Sequence, residues 1–276
     1  MEARCRWLAI GWLSLWLIGP AAAGEAQRCS QALLDALAKQ LGQSGWRVPD
    51  ASTPYLAPLQ AAACKPWPDD PQLAVVALAY QDSEALLPDA GRNLQLLVGR
   101  VAMPEGRLRE RYDSPLGEDV LLEIGPDSLW LDTARYHLAP GVRAFGLLLN
   151  SVARGPSCPE GGFNDLLTLL VPEGARLRPV FASHLRLWTT VQGTACVQES
   201  DFAMEQARLT LSVGPLRAAG YADLQLTASV QFGPQEPLLR RVTQRLRYDG
   251  QRYPVEEVST FWWRDNQPAP GDTPVR

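Results

Sequence analysis

Lysine and histidine are scarce in this chain of 276 residues: Lys39 and Lys65 are its lysines, and His137 and His184 its histidines. Zinc sites draw three or four ligands from His, Cys and carboxylates. Two His on distant segments, with no C-x-x-C pair and no His close to a Cys, give no metal site. The G-x-S-x-G elbow, the P-loop and the dinucleotide fingerprint are all missing, so no cofactor and no catalytic residue is expected. A basic excess is missing too. The formal net charge is −4, whereas nucleic-acid binding needs a cationic face. Charged residues make up 20% and hydrophobic residues 46%. That balance excludes a disordered tail, a collagen-like repeat and a coiled coil, and it provides enough apolar surface for one large core or two small ones.

Apolar runs long enough to span a bilayer are also lacking. The longest, from Trp7 to Ile18, follows Arg4 and Arg6 and leads into Gly19, Pro20 and Ala21-Ala22-Ala23. It falls short of the roughly 20 residues of a spanning helix. Its charge–apolar–small order is that of a secretory signal peptide, cleaved after Ala23, with no transmembrane segment expected afterwards. Cysteine usage agrees with export. Cys5 lies within the address, and Cys29, Cys64, Cys158 and Cys196 remain. An even number in an exported chain implies two disulfides. Three pairings are open; Cys29–Cys64 with Cys158–Cys196 is favoured because each closes a local loop. The near-total replacement of Lys by Arg fits either a GC-rich genome or a use of guanidinium forks.

Residues 24–71 read as a helical and proline-rich segment. Leu33, Leu34, Leu37 and Leu41 recur at helical spacing between Ser30, a cap, and Gly42, a stop. Six prolines follow between Pro49 and Pro71, with a second short helix expected over 56–63. Residues 72–264 read as a β domain, and 265–276 as a polar, disordered tail. Short alternating runs separated by Gly, Pro and Asp turns place strands at 73–80, 94–101, 108–112, 120–124, 128–132, 144–150, 166–171, 177–180, 208–213, 224–232, 241–248 and 258–263. The expected fold is mainly β: an antiparallel meander, either a degenerate propeller or a β-sandwich, with one N-terminal amphipathic helix.

Two segments share the pattern G-[FY]-x-D-L: Gly162-Phe163-Asn164-Asp165-Leu166 and Gly220-Tyr221-Ala222-Asp223-Leu224. Gly91-Arg92-Asn93-Leu94 reads as an eroded third copy. Each is expected to be a structural turn into a strand, with Gly162 and Gly220 at positive φ, the ring beneath, and Asp165 and Asp223 accepting backbone N–H groups. The second copy, with Tyr248-Asp249-Gly250-Gln251-Arg252-Tyr253 after it, resembles FG-GAP-type propeller repeats and lysozyme-inhibitor-related periplasmic families among exported proteobacterial β proteins. Those repeats carry a Ca²⁺-binding D-x-[DN]-x-D-G stretch just upstream. Here residues 214–219 hold no carboxylate, so no Ca²⁺ is carried over.

Candidate binding residues come from two places. In 240–252, Arg241, Arg245 and Arg247 fall on one face of a strand, interrupted by Thr243. Phe261-Trp262-Trp263 ends the last run, where an exposed Trp262 or Trp263 could stack on sugar or on a partner. These features point to a non-enzymatic binding or accessory module of a Gram-negative envelope, periplasmic or secreted. Its expected partner is an envelope protein, or an acidic glycan or lipid head group. Two alternatives stand beside it. One is a glycan hydrolase using paired carboxylates, with Asp132, Asp165 and Asp223 the first to test. The other is a hydrolase inhibitor that inserts a loop from within Cys158–Cys196.

Overall fold

The computed structural model describes residues 27–81, 92–194, 196–197, 202–217, 220–233 and 235–266. The expected signal peptide, residue 91 of the third motif copy and the tail from residue 267 lie outside the described residues. One helix, α1 (Gln31–Gln40), precedes β1 (Leu59–Pro66), β2 (Leu73–Gln81), β3 (Asn93–Ala102), β4 (Arg107–Gly117), β5 (Leu129–Ala139), β6 (Val142–Leu149), β7 (Gly161–Glu173), β8 (Arg176–Gln192), β9 (Ala203–Val213), β10 (Leu224–Gln231) and β11 (Arg240–Leu246). The fold is mainly β, as expected.

All the strands join one sheet in the order β1-β2-β3-β4-β8-β7-β6-β5, and β9, β10 and β11 extend from β8. Two antiparallel meanders, β1–β4 and β5–β11, meet at a single parallel bridge, Arg111 to Arg176. The sheet curls until β1 and β2 approach β5, but no ladder closes it. The seam is held by side chains instead. Gln27 donates from Nε2 to the Leu131 carbonyl at 2.8 Å and accepts the Leu131 N–H at 2.7 Å, imitating a missing strand along the β5 edge.

Three apolar clusters follow from this path. Between the meanders lie Val75, Val98, Leu131, Phe145, Leu147 and Leu170. On the outer face of β2 and β3, α1 buries Leu33, Leu34 and Leu37 against Val76, Leu78 and Leu97. Ser30 caps this helix, accepting the Leu33 N–H at 3.2 Å. The third cluster lies within the second meander, where Leu209, Leu226 and Leu246 pack against Tyr253 and Trp262.

Four local expectations are corrected. Residues 56–63 are not helical: from Leu59 they enter β1, buried on both faces between α1 and the central cluster. Burial on two sides outweighs the helix propensity of an Ala-rich run. Residues 120–124 form a loop rather than a strand. The side chains of Asp119, Glu118 and Ser151 take the N–H groups of Leu121, Leu122, Ile124 and Glu123, leaving few for a ladder. Residues 258–263 also form turns, with the Trp262 indole donating to Ser259 and the Trp263 N–H to Thr260. The short 177–180 run is instead the start of the 17-residue β8. Pro179 is accommodated at a register shift, and the Val180 carbonyl there accepts the Tyr253 N–H.

Both favoured disulfides are present, Cys29–Cys64 and Cys158–Cys196. The first ties the residue before the α1 cap to β1. The second joins the open ends of the β7–β8 hairpin, so the chain between these cysteines is no free loop. Its tip at Ala175 accepts the Arg111 N–H of β4.

Arg92 is the polar anchor of the first meander. It ion-pairs with Glu118 at side-chain exposures of 2% and 8%, and it donates to Gln60 Oε1 at 2.8 Å and to the Ile124 carbonyl at 2.6 Å. Removing one partner strands the other in a buried site. Arg92→Met is therefore expected to destabilise the fold by about 3–5 kcal/mol, read by urea unfolding. Cys29→Ser with Cys64→Ser is expected to cost about 3–4 kcal/mol through the freed loop entropy, measured in the same way.

Candidate functional site

The outer half of the second meander has two unlike faces. Along β8–β11 the cluster-facing positions are Leu187, Ala207, Leu209, Leu226, Ala228 and Val242. Period-two alternation sends their neighbours to the opposite face. Register then sets those neighbours in rows. Arg186 of β8 stands opposite Arg208 of β9, which stands opposite Ser229 of β10, which stands opposite Arg241 of β11. The next row is Thr210, Thr227 and Thr243, with the Thr227 and Thr243 hydroxyls 3.2 Å apart. Beyond it lie Ser212, Gln225 and Arg245. On the other side of the arginine row are Trp188, Gln206 and Gln231. None of these outward positions carries a carboxylate.

Trp188 lies across Gly162. A Cβ built there would stand 2.4 Å from the indole Nε1, so only glycine allows the ring to lie against the β7 backbone. Trp188, Arg186, Arg208, Gln206 and Gln231 line a shallow recess of about 300 Å³.

Arg186 and Arg208 are directly opposed like charges, an arrangement that destabilises a sheet. Asp165 compensates one of them, accepting from Arg186 at 2.9 Å. Among the described residues Arg208, Arg241 and Arg247 form no ion pair. Arg245 is different: it pairs with Asp223, which also holds Arg217. Burial alone would raise the Asp223 pKa, but the two guanidinium groups outweigh it and hold the carboxyl below its ordinary value. Of the expected cationic stripe, then, Arg241 and Arg247 are uncommitted and Arg245 is structural. Arg247 lies just past the end of β11.

The aromatic candidates separate in the same way. Trp262 is 1% exposed within the apolar cluster, so its ring presents nothing to a ligand. Trp263 is exposed, at 39%, but lies in a turn rather than in a strand row. The exposed-face aromatic is Trp188, which the sequence reading missed. Its signal was the alternation of FASHLRLWTTV, legible once the strand is extended past Pro179.

The two motif copies also differ from the expected turn. Gly162 lies inside β7, whereas Gly220 takes φ 77° in a loop. It is Asp165 that adopts the left-handed conformation, at φ 58°. Both aspartates accept chiefly from side chains, Asn150 and Arg186 for one and Arg217 and Arg245 for the other. Nearby guanidinium and amide donors compete successfully with backbone N–H groups. Tyr221 stacks on Tyr248 at 4.3 Å, and Phe163 meets His184 at 4.3 Å with the rings tilted by 43°.

His184 is half-buried, with Nδ1 buried and unpartnered. Burial lowers its pKa, which keeps the imidazole neutral. Asp132 accepts the Tyr136 hydroxyl at 2.6 Å and the Ala134 N–H at 2.9 Å. Compared with known proteins, the chain matches no family model, no curated protein and no solved structure.

Behind the cationic face, Glu205 is 1% exposed and bridges Arg240 of β11 and Arg264. Burial pushes its pKa up, and the bonds from both arginines push it down further, so the net shift is downward. A depressed folded-state pKa contributes stability that is full above the ordinary glutamate range and is lost as pH falls through the folded value. Glu205→Gln is expected to cost about 3 kcal/mol at neutral pH and to flatten the acid limb of a melting-temperature profile.

Proposed function

We propose that this protein is a non-enzymatic binding module that holds an acidic glycan on the outer face of β8–β11. One observation carries the reading: Arg186 and Arg208 are kept directly opposed with Arg241 in the same row, and Asp165 neutralises Arg186 alone. Like charges held face to face cost stability, and an anion bridging them recovers it. The surrounding groups suit sugar in particular. Hydroxyl and amide side chains meet sugar hydroxyls, and a flat indole meets a pyranose face.

The carboxylates support binding over hydrolysis. Asp165 and Asp223 are engaged by arginines and Asp132 by Tyr136. An inverting or retaining glycosidase needs one carboxyl with a raised pKa as its general acid, and the Asp223 shift is in the opposite direction. Both disulfides fit an oxidising compartment, and no helix among the described residues is long and apolar enough to cross a membrane. Together with the leading segment, these features support a periplasmic or secreted location.

The test is titration with polygalacturonate, with neutral dextran as control. Wild-type protein is expected to bind the acidic polymer, more weakly as salt is raised. Arg208→Ala with Arg241→Ala is expected to weaken binding about tenfold, a loss of about 1.4 kcal/mol, with the melting temperature kept or raised as the opposed charges are relieved. Equal binding of dextran, or an unchanged double variant, overturns the reading.

A further inference from the structure

The single bridge between the meanders leaves an opening beside it. After Arg111, β4 runs on without a partner on its outer edge, while β8 is flanked there by the chain around Tyr253 and Glu257, bonded to Val180 and His184. A cleft of about 370 Å³ opens between them into the central cluster. Its walls are mostly aliphatic, with Leu96, Leu116, Leu147, Leu149, Leu166 and Leu170 foremost. Ser114 and Thr168 add two hydroxyls, and Arg252 and Glu257 stand at the rim.

This volume exceeds the roughly 150 Å³ that admits benzene to an apolar cavity, and it lies in the range of small-molecule sites. The edge itself argues against an added peptide strand. The Arg111 N–H points outward to Ala175, so alternation turns the backbones of Asp113 and Pro115 outward as well. Pro115 has no N–H to donate, and Asp113 places a charge on the edge. Both are devices that block strand addition. The guest must therefore be held by side chains. Six leucines outnumber the rings of Tyr112, Phe181 and Tyr253 in the walls, and branched aliphatic groups at that density fit a flexible hydrocarbon chain. Arg252 is exposed and, among the described residues, has no ion pair, so the matching head group is an anion.

We propose that the cleft between β4 and the Arg252–Glu257 chain binds one aliphatic chain of a monoanionic amphiphile, with the chain among the leucines and the head group at Arg252. Glu257 opposes a second negative charge at the same rim. The site uses none of the arginines assigned to glycan, so the two readings stand or fall separately.

Calorimetric titration of the whole protein with decanoate and with decanol tests it. Both are expected to bind. Thr168→Phe, which fills the cleft, is expected to weaken both about tenfold. Ser114→Phe blocks the mouth from a half-buried position and gives the same reading if Thr168→Phe does not fold. Arg252→Ala is expected to weaken decanoate about two- to fivefold and to leave decanol unchanged, while Glu257→Gln tightens decanoate alone. Failure of both probes to bind, or undiminished binding in a folded cleft-filling variant, overturns the site. An equal effect of Arg252→Ala on the two probes overturns the head-group assignment.

Discussion

A single pair of residues, Arg111 on β4 and Arg176 on β8, joins two meanders that otherwise pair only within themselves. Parallel strands need a long connection between them, and here that connection is the whole of β5, β6 and β7. Because contact lasts for one bridge, β4 and β8 separate at once. The separation opens the central cluster to one side, and the chain after β11 only partly covers the gap. The same geometry leaves the far half of β8 free to pair with β9, so the sheet continues past the region that the first meander covers. One face of that extension is buried by its own apolar residues, and the other carries the polar rows of Arg186, Arg208 and Arg241.

Arginine, almost the only basic residue, serves two purposes that position alone decides. Arg92, Arg100, Arg240 and Arg245 meet carboxylates and tie strands or loops together. A planar guanidinium suits this because it can satisfy a carboxylate and a carbonyl at once, as Arg240 does with Glu205 and Trp262. On the same face Asp165 and Asp223 take Arg186 and Arg245, while Arg208, Arg241 and Arg247 form no ion pair among the described residues. Neighbouring arginines in one short segment, Arg240 and Arg241, thus differ completely. Alternation turns one inward to a buried glutamate and the other outward to solvent.

Much of the architecture could be read from residue order. Period-two alternation located most strands, the leucine spacing between Ser30 and Gly42 gave α1, and the even cysteine count led to both disulfides. The misplacements share one cause. Residues 56–63, 120–124 and 258–263 each have a local pattern that competing bonds overrule: two-sided burial in the first, side-chain capping of backbone N–H groups in the second, and an indole anchored by Ser259 in the third. The packing on β1 and the Ser151 bond come from distant residues, whereas Asp119 and Ser259 lie within three positions of the groups they bind and compete as local turns. The proposed binding face was half legible. Arg241 and Arg247 showed as an alternating stripe on one strand, but Arg186, Arg208 and Trp188 join them only through cross-strand register.

Sequence alone determined the secondary-structure class, the helix with its cap, and a disulfide complement suited to an oxidising compartment, since periodicity and residue chemistry act over short distances. Tertiary structure alone decided which arginines are neutralised and which remain free, where Trp262 and Trp188 exchange the roles of core and surface, and that an aliphatic cleft exists. Those outcomes depend on which strands become neighbours, and strand pairing joins residues tens of positions apart whose match no local pattern records.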